Sequence, residues 1–496
     1  MTKTLLSSLL LLPLCQAAVK LPNIIGDHML LQRDVPVRIF GMADPGEAVT
    51  VSFRGQSAQT AANALGRWEA WLKPMAPAAP AEMTVAGTNT IRIADVLVGD
   101  VWIGSGQSNM QWAVRQTNNA EAEISGANFP QIRLFYVPRK PSATPVEDVD
   151  AKWVVCSPEN ARDFSAVLYY FGRQLHQDLK VPMGLIHSSW GGTPIAAWIS
   201  GPTLSSNTNL SPFLSFWQDV IAQFPTNTTR HEQNLAKWEA GGKKGPRPAA
   251  PMGPGNPHEP TTLYNGMIAP LAKYTIKGAL WYQGETEAGR SQGHIYGEAL
   301  RTLVTDWRRA FGQGDFPFFY VQLANFGNAA KNGHWMRVQE GQVKASSLKR
   351  TGVVVINDIG EATDIHPKNK QDVGKRLALL ARHVAYGQNG FVWSSPLYRQ
   401  TTREGKNLRV WFDYAGDGLK TRDGGAVKGF VIAGADGQFV PATATIDGAT
   451  VVVSGVADPR AVRYAWDYNP DANLVNSAGL PASLFRSDER DEVVFK

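Results

Sequence analysis

Between Val101 and about Gly387 short strand-like runs alternate with longer segments of helical period. That alternation confines the chain to a parallel sheet covered by helices on both faces, because only a crossover helix returns a strand parallel to its neighbour. The strands read from it are Val101 to Gly104, Ile132 to Val137, Met183 to His187, Gly278 to Tyr282, Phe318 to Leu323 and Val353 to Asn357. Leu168, Phe171, Leu175 and Leu179 recur at helical spacing and predict a helix from Ser165 to about Leu179. Val373, Leu377, Leu380 and Val384 predict another from Lys370 to Tyr386. An insertion, about Gly201 to Pro260, separates the third and fourth strands. It ends in the Pro/Gly-rich stretch Gly245 to Pro260 and reads as a long surface loop at the mouth of the site.

The α/β region, 101–390, is flanked by β material. Residues 19–100 hold alternating runs such as Val49-Thr50-Val51-Ser52-Phe53, and 391–496 hold Leu408-Arg409-Val410-Trp411-Phe412 and similar runs. The expected architecture is a three-layer α/β/α domain with β-sandwich regions at both ends; whether these form one unit or two is open. Residues 1–18 read as a signal peptide: Lys3, then apolar Leu5 to Leu14, then Cys15-Gln16-Ala17 as a small-residue cleavage site. Cys15 invites a lipid anchor, but Leu14 stands where a small residue is wanted. The expected location is the periplasm or the medium. Cleavage near Ala17 or Ala18 leaves Cys156 as the sole cysteine, hence no disulfide. No later apolar run reaches the ~20 residues a bilayer-spanning helix needs. With 49 basic against 43 acidic residues and no long Lys/Arg run, nucleic acid is not an expected partner.

Chemistry-bearing residues gather where these strands end. Gly104-Ser105-Gly106-Gln107-Ser108-Asn109-Met110 follows the first strand and precedes a helix. A serine there lies beside the backbone N–H groups and positive dipole of a helix N-terminus, which suits an acyl-transfer nucleophile. Ser108 as a simple helix cap is the alternative. Ser188-Ser189-Trp190-Gly191-Gly192-Thr193-Pro194 follows the third strand, with two glycines exposing N–H groups as oxyanion donors and Thr193-Pro194 as a helix start. Gln283-Gly284-Glu285 follows the fourth and brings a side-chain amide to the same rim. Asp358 follows the last strand, then Asp364-Ile365-His366-Pro367; His366 is the one histidine of nine in a strand-end loop with carboxylates close by. Trp112, Trp190, Trp198 and Trp281 offer flat faces to sugar rings, with core packing as the alternative for each. No zinc-protease, Walker A or complete dinucleotide-binding motif is present, so neither metal nor cofactor is expected.

Five ordered blocks carry a resemblance: Gly-Gln-Ser-Asn-Met at 106–110, His-Ser-Ser-Trp-Gly-Gly-Thr-Pro-Ile at 187–195, Leu-Tyr-Asn-Gly-Met-Ile-Ala-Pro-Leu at 263–271, Trp-Tyr-Gln-Gly-Glu at 281–285 and Asp-Ile-His-Pro-Lys-Asn-Lys at 364–370. Together they resemble the sialate O-acetylesterase family of the SGNH hydrolases, and the likeness extends through Gly26 to Gln32 and Asn473 to Arg486. The resemblance implies an SGNH-type fold and an acetyl-enzyme mechanism, with Ser108 as nucleophile, His366 as base and Asp364 as its orienting acid. Oxyanion donors would be the Ser108 N–H, Gly191 or Gly192, and Gln283; Trp112, Trp190 and Glu285 would touch substrate. The superfamily's usual Asp-x-x-His is absent, since Thr363 stands three residues before His366, and its third-block asparagine is replaced by Gln283. The expected substrate is an O-acetylated carbohydrate, either sialic acid, with Arg115, Arg337 or Arg486 as carboxylate clamp, or a plant hemicellulose such as xyloglucan or xylan. A non-catalytic glycan binder and a general lipase or thioesterase are the rival readings. Oligomeric state is not legible in the sequence.

Overall fold

The computed structural model describes residues 18–489; the expected signal peptide, Cys15 included, lies outside them but for Ala18. All six predicted strands form, in one sheet with the order Thr351–Val354, Phe318–Val321, Gly278–Tyr282, Thr90–Gly106, Met183–Ser189, Phe129–Tyr136. Every neighbouring pair among these six is parallel. A seventh strand, Trp153–Cys156, closes one edge antiparallel to Phe129–Tyr136; its four residues are too few to show a period in the sequence. From Thr90–Gly106 the chain first lays Phe129–Tyr136 one place away, fills the gap with Met183–Ser189, then crosses to build the other side outward. The C-terminal end of that central strand is therefore a topological switch point, where open α/β sheets bind ligands.

Helices cover both faces. Trp102 on the central strand packs edge-on to Phe171 at 5.0 Å and Gly104 lies against Leu168, which seats helix Ala166–Leu179 on one face. Helix Lys370–Val384 packs beside it, and Gly374 is the contact: a Cβ there would lie 2.6 Å from the Tyr170 Cβ and 2.7 Å from the Phe171 backbone nitrogen. On the other face Trp281 meets Trp307 of helix Gly293–Phe311, edge to face at 6.0 Å. Helix His334–Ala345 packs against Gly293–Phe311 where Gly297 meets Gly341. The helix boundaries match the sequence reading to within two residues, with Ser165 capping the first through its hydroxyl, which accepts from the Leu168 N–H at 3.3 Å.

The insertion departs from expectation. Rather than a loop throughout, it contains a 30-residue helix, Ser211–Ala240. Pro212 sits at the helix start, where a missing N–H costs little, and Phe213, Phe216, Val220 and Phe224 form an apolar stripe at helical spacing. The expected irregular stretch survives beyond about Gly241 and folds back on that stripe, with Gly253 against the Phe224 ring. Pro225 stands inside the helix at the cost of one backbone hydrogen bond, and the helix ends only before Pro and Gly become dense beyond Gly241.

The β regions are separate. N-terminal strands add to the first half of Thr90–Gly106 itself, through Ala78–Ala86 antiparallel and Leu30–Gln32 parallel. One strand thus belongs to both the β region and the catalytic sheet. The C-terminal region has its own two four-stranded antiparallel sheets, packed face to face where Tyr398 stacks on Phe485 at 4.3 Å. No strand pairs the two regions among the described residues. Cys156 is free and buried, and burial pushes its thiol up to about 12.

Candidate active site

The central strand ends at Gly106, whose φ of +134° favours glycine, and a Cβ there would stand 2.1 Å from the Tyr282 carbonyl oxygen. The chain can make this turn only without a side chain. Gln107 then donates its N–H to the same carbonyl at 3.0 Å, and Ser108 opens a helical turn, Ser108–Gln111. This element has four residues rather than the expected full helix. Any stabilisation of charge at Ser108 thus comes from nearby N–H groups, not from the dipole of a long helix. The turn is tied down at its far end, where the Ser165 hydroxyl donates to the Met110 carbonyl at 2.6 Å and the Ala166 N–H to the Trp112 carbonyl at 2.8 Å.

Ser108 and His366, 258 positions apart, meet here: the imidazole Nε2 lies 2.9 Å from the Ser108 Oγ. Asp364 accepts the backbone N–H of His366 at 2.9 Å through Oδ1, which also lies 3.7 Å from the imidazole Nδ1. The other two carboxylates of the loop are engaged elsewhere. Asp358 forms a two-pronged pair with Arg376 at 2.7 Å for each contact, and Glu361 accepts the Lys368 N–H at 2.9 Å. Of the three, Asp364 alone contacts the histidine ring. The Trp112 indole stacks on the imidazole, 4.6 Å between centres and 13° between planes, fixing its plane. Burial, then the nearby Lys370 ammonium, hold His366 below its ordinary pKa against the opposing pull of Asp364. The imidazole is therefore neutral, and able to accept a proton, through neutral pH.

The oxyanion groups differ from expectation. The Gly191 N–H donates to the Gln111 side-chain oxygen at 2.7 Å, and the glycine packs so closely on Ser108 that a Cβ would lie 3.2 Å from the serine Cβ. The N–H groups of Ser108 and Gly192 have no partner among the described residues. Gln283 is wholly buried; its amide nitrogen donates to the Thr193 carbonyl at 3.2 Å and to the Glu287 carboxylate. It is a strut behind the Gly191-Gly192-Thr193 segment, not a donor facing the cavity. Two side-chain amides do line the cavity, Gln116, whose oxygen accepts the Ala113 N–H, and Gln111, three residues after Ser108 on the same helical turn, its oxygen held by Gly191 and its nitrogen left for a ligand. That i, i+3 spacing is the signal in the sequence that would have found it. Thr193-Pro194 begins only a single 3₁₀ turn, Ile195–Trp198.

Substrate-facing expectations divide likewise. Trp112 and Trp190 are half-buried and line a shallow, open cavity of about 310 Å³ together with Ser108, Gln111 and His366. Trp198 and Trp281 are fully buried and pack on each other in the core. Glu285 is also buried, accepting from the Asn109 side chain at 2.6 Å, and does not reach the cavity. Arg115 pairs with Asp163 and Arg486 with Glu340, and neither these nor Arg337 line the cavity. Arg139 does, with its guanidinium 5.9 Å from the centre of the Trp190 ring. Among the described residues no cluster of His, Cys, Asp and Glu is suited to a metal ion.

The family profile described as carbohydrate esterase, sialic acid-specific acetylesterase matches residues 98–382, from the second half of the central strand through Thr351–Val354 and into the helix after it. The chain belongs to that family. The sialate O-acetylesterase of Mus musculus is 31% identical, with 93% of each chain covered, and that of Homo sapiens is 32% identical, with 75% of this chain and 72% of the human one covered. A solved carbohydrate acetylesterase of Xanthomonas citri is similar over 95% of this chain and 100% of its own, with a TM-score of 0.82 at 39% identity. This member of the sialic acid-specific acetylesterase family is accordingly a carboxylic ester hydrolase whose substrates are acetylated carbohydrates.

Proposed function

We propose that the hydrolysis is serine-dependent, with Ser108 as nucleophile, His366 as general base and Asp364 as the residue that orients it. The observation that carries the proposal is the 2.9 Å contact between the Ser108 Oγ and the His366 Nε2 on an open cavity. The serine oxygen bonds to the acetyl carbonyl carbon while its proton passes to Nε2. As the tetrahedral intermediate collapses, the bond from that carbon to the sugar oxygen breaks and Nε2 returns the proton to the departing hydroxyl. Water repeats the attack on the acetyl-enzyme with the same nitrogen taking its proton; the bond from the acetyl carbon to the serine oxygen then breaks, Nε2 returns the proton to that oxygen, and acetate leaves. The oxyanion is met by the N–H groups of Ser108 and Gly192 and by the Gln111 amide nitrogen. Each such donor is worth about 2.7 to 4 kcal/mol in the transition state.

The substrate is an O-acetylated sialic acid or an acetylated hemicellulose oligosaccharide. Arg139 on the cavity rim supports the first, since a guanidinium can pair with a sugar carboxylate in a two-pronged fashion. The open cavity between Trp112 and Trp190 supports the second, because it leaves room for flanking sugars. Acetate release from both substrates, by the wild type and by Ser108→Ala and Arg139→Ala, tests these points. Full turnover by Ser108→Ala would refute the nucleophile. A KM increase in Arg139→Ala confined to sialic acid identifies the acidic sugar, and preferential release from the hemicellulose with no Arg139 effect identifies the neutral one. Turnover of p-nitrophenyl acetate well above p-nitrophenyl octanoate is expected, and the reverse would favour a lipase.

We also propose that the protein is exported, on the strength of Lys3 and the apolar stretch Leu5 to Leu14. Recovery of mature protein beginning near Ala18 outside the cytoplasm supports this, and cytoplasmic protein retaining Met1 refutes it.

A further inference from the structure

Beneath the Ser108 and His366 pair lies a buried polar chain. Lys370, wholly buried, donates from Nζ to the Asn109 Oδ1 at 2.5 Å, with Nζ 5.4 Å from the centre of the Tyr282 ring. Asn109 donates from Nδ2 to the Glu285 Oε1 at 2.6 Å and to the Ile365 carbonyl at 3.0 Å. An ammonium only donates and a carboxylate only accepts, so these two ends hold the asparagine amide in one orientation. Its second N–H is thereby aimed at Ile365. The chain joins three segments the sequence leaves far apart: Asn109 follows Ser108, Ile365 precedes His366, and Glu285 opens the helical turn Glu285–Gly289 after the fourth strand.

The charges act on the same imidazole. Lys370 disfavours protonation of His366 and Asp364 favours it; the other groups around the ring are the neutral Ser108 and Trp112, with Arg139 across the cavity. Burial brings Lys370 itself down to about 7, opposed by Glu285, Asp364 and Glu361. Burial likewise raises the Glu285 carboxyl above its ordinary value, against the pull of Asn109 and Lys370. A buried lysine unlinked to any function would be costly to keep, and buried ionisable groups of this kind recur at functional sites.

We infer that Lys370 is a positioning residue for the deacetylation: through Asn109 it holds the His366 loop against Ser108 and sets its amine beneath that pair. The inference rests on the reading of Ser108 and His366 as nucleophile and base. Lys370→Met keeps an unbranched side chain of similar length while removing the charge and the donor. On p-nitrophenyl acetate its kcat should fall about tenfold or more with KM within about twofold, the pattern of a lost transition-state contribution. The acidic limb of kcat/KM should also move to higher pH, because the cation that opposed imidazole protonation is gone. An unchanged kcat, or a lower kcat with an unmoved acidic limb, overturns the inference. Full turnover by Ser108→Ala instead overturns the underlying reading, so the two failures are distinct. Should Lys370→Met not fold, Glu285 provides the second test. Glu285→Ala should lower kcat and Glu285→Gln, which retains an acceptor for Asn109, should restore most of it; equal kcat in both variants overturns the inference.

Discussion

Replacing Gln283 separates two readings of one residue. As an oxyanion donor, its loss would cost about 2.7 to 4 kcal/mol of transition-state stabilisation, or 10²- to 10³-fold in kcat. In the structure its amide nitrogen is already bonded to the Thr193 carbonyl and the Glu287 carboxylate, in a position with no exposure at all. Gln283→Met keeps the volume and removes the donor, leaving two buried acceptors unpaired. At about 1 to 3 kcal/mol for each abandoned partner, the fold should lose about 2 to 6 kcal/mol. The Ile195 N–H, which donates to the other Glu287 oxygen at 2.7 Å, limits the damage to the low end of that range. The assay pairs urea unfolding with kcat on p-nitrophenyl acetate at a temperature where the variant is fully folded. A destabilised protein with kcat within about threefold of wild type is expected, since the strut touches no reacting atom. A kcat reduced about a hundredfold at unchanged stability would refute the reasoning and return Gln283 to the oxyanion site.

Because burial and Lys370 depress His366, activity should persist below its ordinary pKa and be half lost in kcat/KM only at a pH under ~6.5; a pH profile with its acidic midpoint above that value contradicts the downward shift. Trp112→Ala removes the ring stacked on the imidazole, so kcat should drop and the same midpoint should rise as water reaches the ring. Gly106→Ala forces a Cβ to within 2.1 Å of a strand carbonyl at a φ that already disfavours side chains, and should yield inactive or insoluble protein. Gly46→Ala, at a positive φ with open space around it, should cost only about 1 kcal/mol by thermal melting and leave turnover intact.

Strand positions and the helices Ala166–Leu179 and Lys370–Val384 were legible in the sequence because each is a local pattern, and the meeting of Ser108 with His366 because both follow strand ends. Hydrophobic period marks the strands, and residues at the carboxyl ends of parallel strands converge whatever their separation along the chain. Asp364 was legible for the same reason, lying two residues from the histidine it contacts. The helix Ser211–Ala240 also had a local signal in Phe213, Phe216, Val220 and Phe224, obscured by the proline-rich stretch that follows.

Tertiary structure alone decided which of several similar groups face the cavity. Gly191 and Gln283 carry the right donors, yet these are taken by Gln111, Thr193 and Glu287. Trp198 and Trp281 have the right rings, yet they lie in the core, and Glu285 reaches Asn109 instead of solvent. Arg139 reaches the cavity without any motif to announce it, and Gln111 with only its i, i+3 spacing from Ser108 as a signal. A sequence fixes how many donors, rings and charges a strand end carries. Whether each is free or engaged depends on partners up to 261 positions away, as Lys370 and Asn109 are, and a buried polar group takes the nearest partner the packing offers.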